Sequence, residues 1–144
     1  MSQPPEPRPF WGHLSRSATI PKTDVCLETS GLPFQTIATS AGEINPIGQT
    51  TCRSTHCATN DGRALNGTMT LTAEDGDELH LTYSAGTVEP EPLTVQQCEL
   101  IVDGGTGRFA KAFGQVPGMD YINFTGYDEP EWPIETALVG TITI

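Results

Sequence analysis

The stretch Gly67-Thr68-Met69-Thr70-Leu71-Thr72-Ala73-Glu74-Asp75-Gly76-Asp77-Glu78-Leu79-His80-Leu81-Thr82-Tyr83 decides the fold class. Met69, Leu71 and Ala73 alternate with Thr68, Thr70 and Thr72. Beyond Asp75-Gly76, Leu79, Leu81 and Tyr83 alternate with Glu78, His80 and Thr82. Successive side chains of a strand point to opposite faces, so this period marks a sheet with one face buried. Two such runs joined through Asp-Gly predict a β-hairpin.

Strand signals continue on both sides of the hairpin. They cover His13–Ile20, Asp24–Thr29, Phe34–Ala41, Ile47–Cys52, Thr94–Val102, Gly118–Gly126 and Ile134–Ile144. No window of a dozen residues keeps a helical apolar stripe before meeting Gly or Pro. A single helical turn is predicted within Gly107–Phe113, where Arg108 to Ala112 run without a breaker. About eight short strands at this spacing predict an all-β barrel or sandwich. Pro4, Pro5, Pro7 and Pro9 predict a flexible, extended tail over residues 1–9, leaving 10–144 as a single domain.

Composition narrows the function classes. The chain has 144 residues, enough for one domain with a sizeable core. Eighteen acids against seven bases give a net charge of −11. Neutralising a phosphate backbone needs clustered Lys and Arg, so nucleic acid and anionic membrane are not expected partners. No apolar run approaches the ~18 residues of a membrane-spanning helix. The opening Met-Ser-Gln-Pro-Pro-Glu-Pro lacks the apolar core of a secretory leader. Gly-x-Ser-x-Gly, His-Glu-x-x-His and kinase elements are absent, which argues against triad hydrolase and zincin chemistry.

The segment Asp103-Gly104-Gly105-Thr106-Gly107-Arg108-Phe109-Ala110-Lys111-Ala112-Phe113-Gly114-Gln115-Val116 reads physically as a corner. Its glycines permit positive φ and close backbone approach, and Phe109 is placed to plug one end of a barrel. It lacks the Gly-Lys-Ser/Thr of a phosphate-binding loop. The segment resembles the Gly-Gly-Thr-Gly-x-Phe-x-x-Ala-x-Gly signature of the allene oxide cyclase and dirigent-like barrels. Leu71–Leu79 resembles the Thr-Ala-x-Asn/Asp-Gly-Asp-x-Leu hairpin of bacterial members, and Gly140-Thr141-Ile142-Thr143-Ile144 resembles their last strand. The likeness covers Gly67–Ile144 and is thin over Phe10–Thr51.

The resemblance implies an antiparallel eight-stranded barrel with a lumen. It implies a cofactor-free cyclase or isomerase that folds a flexible, unsaturated substrate such as a fatty-acid epoxide or polyketide into a reactive shape. Proximity and orientation supply roughly 7–11 kcal/mol of such a barrier at best. It also implies a homo-oligomer, dimer or trimer. The alternative is a non-catalytic secreted module with a filled lumen.

The candidate site residues follow from which strand faces line that lumen. Glu99 shares a face with Val95, Gln97 and Ile101; inside, it would be a carboxylate in an apolar cavity with acid-base potential. Outside, it simply meets water. Tyr121 is the second candidate catalytic group, sharing a face with Asn123 and Thr125 opposite Ile122 and Phe124. Tyr83, Asn123, Phe109 and Trp132 are candidate substrate contacts, with Trp132 covering one mouth. His80 faces either solvent or a polar lumen. The acidic cluster at Glu74–Glu78 lacks calcium-loop spacing and reads as a solvated turn.

Four cysteines, Cys26, Cys52, Cys57 and Cys98, suggest two disulfides in an oxidising compartment, with Cys52–Cys57 and Cys26–Cys98 one of three connectivities. That would favour a secreted or periplasmic protein. Buried free thiols in a cytoplasmic protein are the alternative. A zinc site with His56 lacks the Cys-x-x-Cys pair, and no metal is expected.

Overall fold

The computed structural model describes residues 6–59, 63–89, 94–122 and 132–144. Eight strands form one closed barrel in chain order: β1 (Pro7–Thr19), β2 (Thr36–Asn45), β3 (Gly48–Ala58), β4 (Ala64–Ala73), β5 (Glu78–Glu89), β6 (Thr94–Gly105), β7 (Phe113–Ile122) and β8 (Trp132–Thr143). Every neighbouring pair is antiparallel, and β1 closes the ring on β8. Closure pairs the described strands on both sides, apart from the start of β1 at Pro7–Phe10, which pairs only with β8.

The hairpin that decided the fold class is β4–β5, with Met69 opposite Leu81 and Leu71 opposite Leu79. Met69, Leu71, Ala73, Leu79, Leu81 and Tyr83 are all buried. The glycine corner turns β6 into β7 through a 3-10 turn at Gly107–Phe109, with φ +79° at Gly104 and +55° at Gly107. Phe109 is fully buried in the core at that end.

Two expectations are corrected. The extended segment begins β1 at Pro7, inside the part read as a flexible tail. Glu6 exchanges both backbone hydrogen bonds with Ile144, so the even-numbered residues here bond β8. Pro7 and Pro9 therefore turn their missing N–H toward β2, whose pairing with β1 starts only at Trp11. The Asn45 amide fills the gap by donating to the Pro9 carbonyl at 3.0 Å.

The strand expected at Asp24–Thr29 is absent. Leu27–Ser30 forms one helical turn, α1, closed by Gly31 donating to the Leu27 carbonyl. Both neighbours of every barrel strand are already taken, so this segment has no ladder to join. It folds on itself instead, through Thr23 to Pro33 and Gln35 to Pro21.

Candidate functional site

Strand direction sorts the interior into two halves. The turns β2–β3, β4–β5 and β6–β7 lie at one end, the floor; the opposite ends of the strands form the mouth. The floor is packed with Phe10, Leu14, Ile44, Leu71, Leu79, Leu100, Phe109, Leu138 and Ile142. Toward the mouth most inward residues become small or polar: Ala18, Thr36, Ala38, Ser54, Ala85, Cys98, Asp120 and Thr136 are all buried, with Ile134 an aliphatic exception packed on Ala18 and Ala38.

Two hydrogen-bonded groups stand in the mouth half. The His56 Nδ1 and the Tyr83 hydroxyl lie 2.7 Å apart, with their rings edge to face at 5.7 Å. Imidazole and phenol can each give or take a proton in such a contact. Asp120 is the second centre. Its carboxylate accepts from Thr136 Oγ1 at 2.6 Å and from Cys98 Sγ at 3.1 Å. A carboxylate this deep is tolerated because donors converge on it. Lower on β2, the buried Ser40 Oγ has no partner among the described residues.

Local sequence explains how these groups are presented. Asn66 has φ +53°, and the β4 register slips there: Thr55 pairs Thr68, but Cys57 pairs Leu65. This β-bulge sits at the rim, where Asn tolerates the left-handed conformation. Gly67 lies directly opposite Tyr83. A Cβ there would approach both δ carbons of the Tyr83 ring to 2.7 Å, so glycine is what lets the ring lie flat against β4.

The candidate residues separate by face. Tyr83 is inside, as expected of a lumen group. Glu99 and Tyr121 are outside; β6 turns Cys98, Leu100 and Val102 inward, and Tyr121 is 42% exposed. The lumen position considered for both is corrected, because the apolar face of each strand takes the core. Phe109 belongs to the floor. Asn123, and the cover expected of the Trp132 side chain, lie outside what is described; Trp132 opens β8 opposite Ala18. His80 faces outward, half-buried, beside Glu78.

The cysteine pairing differs too. Cys26 bonds Cys57, and Cys52 and Cys98 are buried and take no part in a disulfide. Cys52 and Cys57 share one strand, about 3.3 Å apart per residue, which holds them far beyond the roughly 5.5 Å that a disulfide spans. Among the described residues no group of three His, Cys, Asp or Glu side chains could hold a metal ion.

Asp120, Thr136 and the His56–Tyr83 contact lie outside the expectations drawn from sequence. Asp120 and Thr136 had a legible signal. Asp120 is in phase with the buried Val116 and Gly118 of β7, and Thr136 lies between Ile134 and Leu138 on the inward face of β8. A polar residue in phase with the core is the pattern to search for. The His56–Tyr83 contact joins strands that are not sequence neighbours, and no local pattern encodes it.

No protein-family model matches the sequence, and no curated protein is significantly similar to it. Among solved structures, that of a pterocarpan synthase dirigent protein is similar in outline. It is 16% identical, with 97% of this chain and 93% of that chain covered at a TM-score of 0.49.

Proposed function

We propose that the protein binds a small, flexible, largely apolar molecule in the mouth half of its barrel and holds it folded for cofactor-free cyclisation or isomerisation. The carrying observation is the division of the interior, with an aliphatic floor below and hydrogen-bonded polar groups above. An apolar chain would rest on the floor while its polar end meets Tyr83, His56 or Asp120. Small-molecule sites are usually lined in this way, mostly apolar with a few convergent polar groups. Ser40 supports the reading, since a buried hydroxyl without a protein partner is costly unless something else satisfies it.

The chemistry would be conformational. A fixed cavity raises the population of the reactive conformer, and Tyr83 or Asp120 moves one proton as the ring closes. Glu99 and Tyr121, being outside, take no part. The disulfide supports an oxidising compartment, secreted or periplasmic.

The test is titration with cis-parinaric acid, a flexible polyunsaturated fatty acid with its own fluorescence. The result expected is saturable binding of one molecule per barrel, weakened by about tenfold in Tyr83→Phe or Asp120→Asn. A protein that retains neither this probe nor any fatty acid, polyketide or phenolic in native mass spectrometry would instead be a filled, non-catalytic barrel.

A further inference from the structure

We propose that the Cys26–Cys57 disulfide is a redox latch on the mouth. In this assignment a dithiol reductant frees the strap of residues 20–35 and so rearranges the His56–Tyr83 contact. The proposal rests on the reading of the mouth half as the ligand site.

The strap runs from the mouth end of β1 to the mouth end of β2. Its α1 turn packs against β3 and β4. Of residues 20–35, only Cys26 is buried. Val25 and Leu27 on either side of it are exposed. A segment that buries so little apolar surface gains little from packing, and such segments open at low free energy unless they are tied. Among the described residues, two ties cross from α1 to the barrel: the disulfide, and a 3.3 Å hydrogen bond from Asn66 Nδ2 to Thr29 Oγ1 at the exposed rim. The second is a side-chain contact in water, weak by itself. The strap is thus a unit bonded within itself; Ile20 at its start packs against Ala18, Ala38 and Ile134, while its α1 turn is held to the barrel mainly by one covalent link.

That link is made next to the site. Cys57 and His56 are consecutive in β3, and side chains alternate along a strand. His56 lies opposite Thr36, whose side chain is buried in the barrel, and Cys57 lies opposite Leu65 on the other face. The disulfide therefore pins the end of β3 from outside, one residue from the imidazole that meets Tyr83 inside. The strap also ends at Thr36 itself, so its release loosens two neighbours of the site together.

A thiolate of the dithiol attacks one sulfur of the pair and forms a mixed disulfide, releasing the other cysteine. The second thiol of the reductant then displaces the first cysteine. Two protein thiols and one oxidised, cyclic reductant result. Cys26 and Cys57 are both buried, so the attack follows a lifting of the strap, and the rate reports its opening.

The experiment is hydrogen–deuterium exchange on the full chain in three states: oxidised, reduced with dithiothreitol, and as the Cys26→Ser/Cys57→Ser variant. The His56 ring is followed in parallel by NMR. The result expected is an increase of about tenfold or more in exchange over residues 21–35 on reduction, read at labelling times too short for β6 to β8, which open only with the whole barrel, to exchange in any of the three states. The His56 resonances should shift, and the double variant should match the reduced protein and ignore dithiothreitol. Unchanged exchange in a strap whose disulfide has been cleaved would overturn the proposal. So would exchange rising equally throughout the barrel, or a freed strap with His56 undisturbed. Binding of cis-parinaric acid is measured on both redox forms. If neither form binds it, the ligand reading fails while the exchange result still decides whether the strap is latched.

Discussion

Replacing Gly67 with alanine should damage both the stability and the site, whereas replacing Gly86 should raise the stability. A Cβ at Gly67 would lie 2.6 Å from the Tyr83 carbonyl oxygen and 2.7 Å from both δ carbons of its ring, where ordinary contact begins at 3.4 Å. The carbonyl belongs to the β4–β5 ladder and cannot retreat alone. The ring must tilt, which carries its hydroxyl away from the 2.7 Å contact with His56. Overpacking of this kind costs about 2 kcal/mol, and the lost hydrogen bond about 1 more. At roughly 2–4 °C per kcal/mol for a domain of this size, Tm should fall by about 6–12 °C. Gly86 meets nothing within 4 Å and has no positive φ, so alanine there only restricts the unfolded chain. It should stabilise by about 0.4–1 kcal/mol. Thermal and urea unfolding of both variants measure the signs, and the His56 ring signals report the contact. A Gly67→Ala protein as stable as the parent, with His56 unmoved, would refute the argument that glycine is there to seat Tyr83.

The remaining predictions concern the polar centres and the cysteines. Thr136→Val removes the 2.6 Å donor from the buried Asp120 carboxylate and should cost about 1.5–3 kcal/mol in urea unfolding. Replacing both Cys26 and Cys57 with serine opens a link across 31 residues and should lower stability by about 3–4 kcal/mol in the chain-entropy account, read as a fall in the urea midpoint. Iodoacetamide should leave the native, unreduced protein unmodified and label two cysteines, Cys52 and Cys98, once urea is added; peptide mapping identifies them. Glu99→Gln should leave binding of cis-parinaric acid unchanged, because the side chain is on the outer wall.

Local patterns carried much of this architecture. The alternation around Asp75-Gly76 specifies a hairpin because strand faces repeat every two residues, whatever the rest of the chain does. The glycines at 104 and 107 specify a corner because few other residues accept their backbone angles. These properties belong to a few adjacent residues and can be read from them. The same logic, applied to Asp120 and Thr136, identifies polar residues in phase with core neighbours.

Which cysteine meets which, and which polar groups meet inside, were decided by closure. Cys26 finds Cys57 because the segment after β1 has no strand to pair with and folds back on the β3 rim. His56 finds Tyr83 because the β4 bulge at Asn66 sets the offset of β3 and β5 across β4. Glu99 lost its place in the lumen when Cys98, Leu100 and Val102 took the inward face of β6. An isolated strand offers two faces with no preference written into its backbone. The choice is made when the barrel buries one of them, and it is a property of all eight strands together.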